Sequence, residues 1–289
     1  MANLRGGSFE KQIKDAFHRL LKAKESRHMT DTNFTHSRAL GAKREMYLRD
    51  FKEYLEKNGI KEGKLNNFMD KQTLNKFVQE RIKDLAPKTR IDYISGFNSL
   101  IQGLQQANVT IPTASKDVFK DLREQTKVEL KAQEIIKGRE IKNIDEKISK
   151  LERISKESSV IAKLQAQTGL RVSEALEVAK NIDKYYDKTN STLTGVKGKG
   201  NHLYKDIKIS KVLAKELKQI KEVPSYKNYS KNLKEVGINR SHNFRVTYAK
   251  NSYIEKLEKG LSHKEALKEV SEEINHHRES MTEYYLNRA

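Results

Sequence analysis

Thr168-Gly169-Leu170-Arg171-Val172-Ser173-Glu174 ends one helix and starts another. Upstream, residues 145–155 and 158–167 have helical periodicity; Gly169 stops that run and a helix resumes over 171–180. Arg171 therefore stands at a helix start with Glu174 three residues on, close enough for their side chains to meet. Outward from there, residues 192–198 and 202–210 read as two strands joined by the turn Gly198-Lys199-Gly200-Asn201. Helical patterns return at about 211–222, 227–236, 241–259, 262–274 and 279–287. One of them carries His242-Asn243-Phe244-Arg245, a His and an Arg three apart; His276 follows, and Tyr285 comes nine residues later. One hairpin among many helices makes residues 138–289 an α+β domain.

The half before this motif reads as helices. Ser8 caps a helix over 8–24 whose apolar face is Phe9, Ile13, Phe17, Leu20 and Leu21. A second, over 38–57, turns Leu48, Phe51 and Leu55 inward and stops at Gly59. Asp70 caps a third, with Leu74, Phe77, Val78 and Ile82 as its stripe. Pro87 opens a fourth, carrying Ile91, Ile94, Phe97, Leu100, Ile101 and Leu104. Residues 1–110 are thus a helical bundle. Residues 111–137, with Pro112, Thr113 and Ser115 before charge-rich text, read as a linker, partly helical near 116–131. The expected fold is mainly α: an N-terminal helical bundle and a C-terminal α+β domain with a small antiparallel hairpin. At the start of the fourth helix, Lys88, Thr89 and Arg90 suit phosphate contact, because helix N–H groups and the dipole add to the cations. A merely solvated first turn is the alternative.

Composition narrows the chemistry. The chain has 289 residues, 58 Lys plus Arg against 39 Asp plus Glu, and a net charge of +19. Residues 1–137 hold 27 basic and 18 acidic side chains and residues 138–289 hold 31 and 21, so the excess is not a basic tail. Two basic domains suit a clamp on a polyanion, where phosphate neutralisation supplies affinity. Without cysteine there are no disulfides, thiolate zinc sites or Cys nucleophiles. No apolar run approaches the ~18 residues of a membrane-spanning helix. Charges at Arg5, Glu10 and Lys11 break up any signal-peptide core. A soluble, cytoplasmic, nucleoid-associated protein is expected.

Taken in order, T-G-L-R-V-S-E, the G-K-G turn, H-x-x-R and the final His then Tyr resemble the tyrosine recombinase (phage integrase) family. Each element is common alone; the ordered set, spanning residues 168–285, is specific. Lys88-Thr89-Arg90 and Tyr93-Ile94-Ser95 resemble, more weakly, that family's helical core-binding domain. The resemblance implies a site-specific DNA recombinase acting through a 3′-phosphotyrosyl intermediate and a Holliday junction, in integration, excision or dimer resolution. It implies Tyr285 as nucleophile, Arg171 and Arg245 as forks for the phosphate oxygens, and His242 as manager of the tyrosine proton. Lys199 would protonate the leaving 5′ oxygen and His276 would hydrogen-bond the phosphate. Glu174 would orient an active-site cation or His. No metal or other cofactor is implied. The partners are duplex DNA and further copies of the chain, a dimer on one site and a tetramer in synapsis.

Alternatives remain at individual positions. Lys197 shares the strand face of Lys199 and is a candidate DNA contact. His276 and His277 are adjacent, as in a metal pair, but no H-E-x-x-H pattern accompanies them. The nine-residue offset selects Tyr285 over Tyr284, which would pack in the core or touch DNA. Asn275 stands where the family has Gly, at little cost if Asn adopts the same backbone region. The four residues after Tyr285 are too few for the family's subunit-docking tail, so tetramer contacts are expected from the N-terminal bundle. A type IB topoisomerase shares the residue set, and a non-catalytic DNA clamp is the non-enzymatic alternative.

Overall fold

Ser8, Ser37 and Asp70 each accept a hydrogen bond from the N–H three residues ahead and open α1 (Phe9–Leu20), α2 (Arg38–Lys57) and α3 (Lys71–Ile82). Pro87 starts α4 (Pro87–Gln106), where its missing N–H costs nothing. The computed structural model describes residues 2–22, 33–112, 118–132 and 138–289. They form two compact units, Met1–Glu134 and Ile135–Ala289.

In the first unit the apolar stripes meet as expected. Phe51, Phe77 and Phe97 are fully buried, with the Phe77 ring 5.1 Å from Phe51 and 5.3 Å from Phe97. Each such ring contributes about 1.5–3 kcal/mol through burial. α1 ends earlier than the predicted 8–24: Leu21 turns to extended backbone and bridges to Thr35. Residues 23–24 lie outside the described residues. Within the stretch read as a linker, Val118 and Phe119 are buried in this unit's core and α5 (Lys120–Ala132) packs on α4. The rest of that stretch that was expected to be helical, around residue 116, lies outside the described residues.

The second unit begins with α6 (Ile144–Ile154), α7 (Lys156–Thr168), α8 (Val172–Lys180) and the short α9 (Ile182–Tyr185). A three-stranded antiparallel sheet follows: β1 (Tyr186–Asp187), β2 (Thr192–Leu193) and β3 (Ile207–Lys208), in that spatial order. The sequence suggested two long strands; the ladder instead breaks at Gly195, in left-handed backbone (φ +69°), and resumes as a Lys197–Leu203 bridge. The edge strand β1 is the unforeseen third partner. Then come α10 (Lys211–Lys218), α11 (Tyr226–Glu235), α12 (His242–Glu258), α13 (His263–Glu273) and α14 (Glu279–Leu286). Among the described residues, no helix is long and apolar enough to cross a membrane.

Helix α12 joins two cores. Phe244 belongs to the larger one, with Leu164, Leu170, Leu213 and Tyr229. Val246 and Ala249 belong to a smaller one with Val270, Ile274 and Tyr285. Arg245 lies between those positions in sequence and is itself fully buried.

Candidate active site

Gly169 caps α7 in left-handed backbone (φ +64°), and a β-carbon there would come within 2.5 Å of the Tyr248 ring. Only glycine satisfies both conditions. The cap turns the chain so that Arg171 becomes the N-cap of α8. Glu174, buried, accepts from the Arg171 backbone N–H at 2.8 Å and from Arg171 Nη1 at 2.9 Å. Burial works against the charge on Arg171, but the adjacent Glu174 carboxylate outweighs it and raises the guanidinium pKa. The expected partnership of Glu174 with an active-site cation is therefore with Arg171.

Arg245 is held from three directions. Nη1 donates to the Gly169 carbonyl at 2.7 Å and to Tyr204 Oη at 3.2 Å, and Nη2 donates to the Ile274 carbonyl. One arginine thereby pins the turn before Arg171 to the turn before His276. Burying a guanidinium is costly unless its donors are met, and here two backbone carbonyls and the Tyr204 hydroxyl take three of the five N–H donors; Nε has no partner among the described residues.

Tyr204 was not singled out from the sequence. Its hydroxyl donates to Glu174 at 2.7 Å and receives Arg171 Nη1 at 3.3 Å and Arg245 Nη1 at 3.2 Å. Burial pushes its pKa up to about 12, with Arg245 opposing and Glu174 reinforcing the rise. One neutral hydroxyl thus spaces the two arginines about a single carboxylate. The available signal was strand alternation: Lys197 and Leu203 pair outward, so the next residue, Tyr204, turns inward.

His276 and Tyr285 meet directly, with 2.9 Å between His276 Nε2 and Tyr285 Oη. Arg171 Nη2 lies 3.3 Å from the same nitrogen. A guanidinium only donates, so Nε2 is the unprotonated acceptor, the ring proton is on Nδ1, and the tyrosine O–H points at His276. The ring is crowded by the protein and faced by Arg245, Arg171 and Arg278, which brings its pKa down to about 4. Tyr285 is 2% exposed, whereas Tyr284 is 40% exposed with the Arg288 guanidinium 4.2 Å from its ring centre. Tyr284 therefore does not pack in the core.

The structure pairs the Tyr285 hydroxyl with His276 rather than with His242, the expected partner. His242 begins α12 and lays its ring against Tyr285, 5.4 Å between centres and tilted by 55°. Crowding of its inner face by the protein, then Arg245, Arg171 and Arg139, lowers its pKa to about 4. His242 is otherwise exposed, whereas His276 is half-buried. Both imidazoles are neutral at pH 7.

Lys199 opens the three-residue helical turn Lys199–Asn201 at the tip of the hairpin. Lys199 and Lys197 are both exposed, and neither side chain has a hydrogen bond or ion pair among the described residues. In the first unit, Lys88 is exposed and bonded to Asp92 at 3.0 Å, Thr89 is exposed, and Arg90 pairs with Glu129 of α5. Among the described residues no three His, Asp or Glu side chains cluster to hold an ion.

This geometry can be set beside known structures. The XerH site-specific recombinase bound to palindromic difH substrate, a post-cleavage complex, superposes with a TM-score of 0.59 and 16% identity, over 96% of this chain and 79% of the other. Its pre-cleavage complex with difH gives 0.57 at 16% identity, over 96% and 80%. The chain has the tyrosine recombinase fold. No protein-family model matches it, and no curated protein matches it in sequence. At 16% identity the likeness extends to the tyrosine recombinase fold alone, and the side-chain geometry above is this chain's own.

Proposed function

We propose that this chain is a site-specific DNA recombinase that cleaves duplex DNA with Tyr285 and stores the broken bond as a 3′-phosphotyrosine. What carries the proposal is the Tyr285 hydroxyl, aimed at a His276 nitrogen that Arg171 leaves free only to accept. Neutral His276 takes the proton as Tyr285 Oη bonds to phosphorus and the bond from phosphorus to O5′ breaks. Arg171, 21% exposed in its side chain, meets the non-bridging oxygens where transition-state charge accumulates. Arg245, with both terminal nitrogens committed to the protein, supports that charge from beneath. His242, beside the tyrosine ring, hydrogen-bonds the phosphate, and Lys199 gives O5′ its proton.

The freed 5′ hydroxyl then attacks the phosphotyrosine of a partner duplex, and a second round resolves the resulting Holliday junction. Bond energy is conserved at each step. Two copies on each site and four in synapsis would bring the duplexes together, with Lys88, Thr89, Arg90 and Lys197 contacting the DNA. That XerH is described both before and after cleavage of a bound substrate supports this reading.

The test begins with duplexes selected for binding from a randomised library, then nicked so that cleavage traps the protein. Tyr285→Phe should abolish the covalent adduct, while Tyr284→Phe keeps it within about twofold of wild type. An adduct surviving in Tyr285→Phe would overturn the assignment.

A further inference from the structure

Asn275 occupies the position where the recombinase pattern has glycine, and its backbone is left-handed (φ +51°), the conformation glycine or Asn adopts most readily. Its side chain does something glycine cannot. Nδ2 donates to the His202 carbonyl at 2.9 Å, and Oδ1 lies 2.6 Å from His277 Nε2, which donates to it. The amide orientation follows from the carbonyl, which only accepts. That carbonyl also receives the Gly198 N–H at 2.8 Å, the bond that closes the turn carrying Lys199. Gly198 has no room to spare: a β-carbon there would lie 2.7 Å from Asn275 Nδ2 and 3.1 Å from the Tyr204 ring.

We infer that Asn275 is a positioning residue that clasps the Lys199 turn to the His276 turn, setting the proton donor for the leaving group relative to the nucleophile. The inference rests on the function proposed above. Without the clasp, an exposed turn whose Lys199 has no side-chain bond among the described residues keeps its hairpin ladder but loses its fixed distance to the Tyr285 side of the site. Lys199 then reaches O5′ less often, and only proton delivery is affected. Asn275 itself touches no reacting atom.

Asn275→Gly is the informative variant, since glycine keeps the left-handed backbone and removes only the amide. It is compared with wild type on two nicked substrates, one with the natural O5′ and one with sulfur at that bridging position. A thiolate leaves without a proton, so a defect confined to acid delivery vanishes on the sulfur substrate. Asn275→Gly should slow cleavage of the oxygen substrate about tenfold, cleave the sulfur substrate within about twofold of wild type, and bind DNA unchanged. Equal slowing on both substrates, or none on either, overturns the clasp while leaving the recombinase reading intact. No wild-type adduct on either substrate overturns both.

Discussion

The two sides of the candidate site are built in opposite ways. Around Arg171, Glu174, Tyr204 and Arg245 the donors and acceptors are mostly paired and largely buried, and Arg245 is fastened to two backbone carbonyls. At the hairpin tip, Lys197 and Lys199 are exposed and without side-chain bonds among the described residues. A group that stabilises developing charge works best preorganised. A group that delivers a proton has to reach its acceptor, and a lysine on a three-residue turn can move. Changes on the buried side should therefore cost stability and rate together, and changes at the tip should cost rate alone.

The sharpest break of that contrast is Lys199→Ala. Cleavage of the oxygen substrate should fall about 10²–10⁴-fold, the range for a lost general acid. Denaturant unfolding should move by no more than about 0.5 kcal/mol, as for an exposed side chain with no bonds to lose. A comparable loss in Lys197→Ala with Lys199→Ala unaffected would exchange the two lysines. On the buried side, Arg245→Ala leaves the Gly169 and Ile274 carbonyls without their donor and should destabilise the protein by about 3 kcal/mol. A stable, fully folded Arg245→Ala protein that merely cleaves slowly would erase the distinction.

That contrast was only half visible in the sequence. Long helices were, because apolar periodicity repeats over several turns and Ser8, Asp70, Pro87 and Gly169 mark their ends by local chemistry. The two-residue β1 and four-residue α9 are too short for any period to register. Arg171, Lys199, His242, Arg245, His276 and Tyr285 are candidates because their order and spacing resemble the tyrosine recombinase pattern. What spacing could not convey is which of two histidines takes the Tyr285 hydroxyl, since that depends on how the turn before α14 packs against α8 and α12. Nor could it convey that Arg245 is fully buried, because arginines are ordinarily exposed. Tyr204 escaped for a related reason: its three partners are 30, 33 and 41 residues away along the chain.

Two smaller effects sharpen the comparison. Tyr204→Phe removes one hydroxyl from the carboxylate and both arginines and should cost about 1 kcal/mol in stability, with a measurable fall in cleavage. Rate loss without any stability loss would move Tyr204 to the mobile side of the contrast. The second is pH. His276 is about 4 in the folded protein against an ordinary 6.5, so it stays neutral until the pH falls through about 4. In the pH profile of kcat/KM for cleavage the acid limb should therefore lie near 4. Stability should also fall as pH drops from about 6.5 toward 4, because the unfolded chain takes up a proton that folded His276 refuses. An acid limb near 6.5 would mean that the proton acceptor is a solvated histidine instead.

The most direct measurement locates the covalent bond. Tyr284 and Tyr285 fall on one tryptic peptide, residues 279–288, bounded by Arg278 and Arg288. Fragmenting that peptide from the trapped adduct, after nuclease trimming, separates the two tyrosines. The residual nucleotide mass should be on Tyr285, the buried tyrosine bonded to His276. The same mass on Tyr284, or on no tyrosine while DNA is still cleaved, would contradict that assignment.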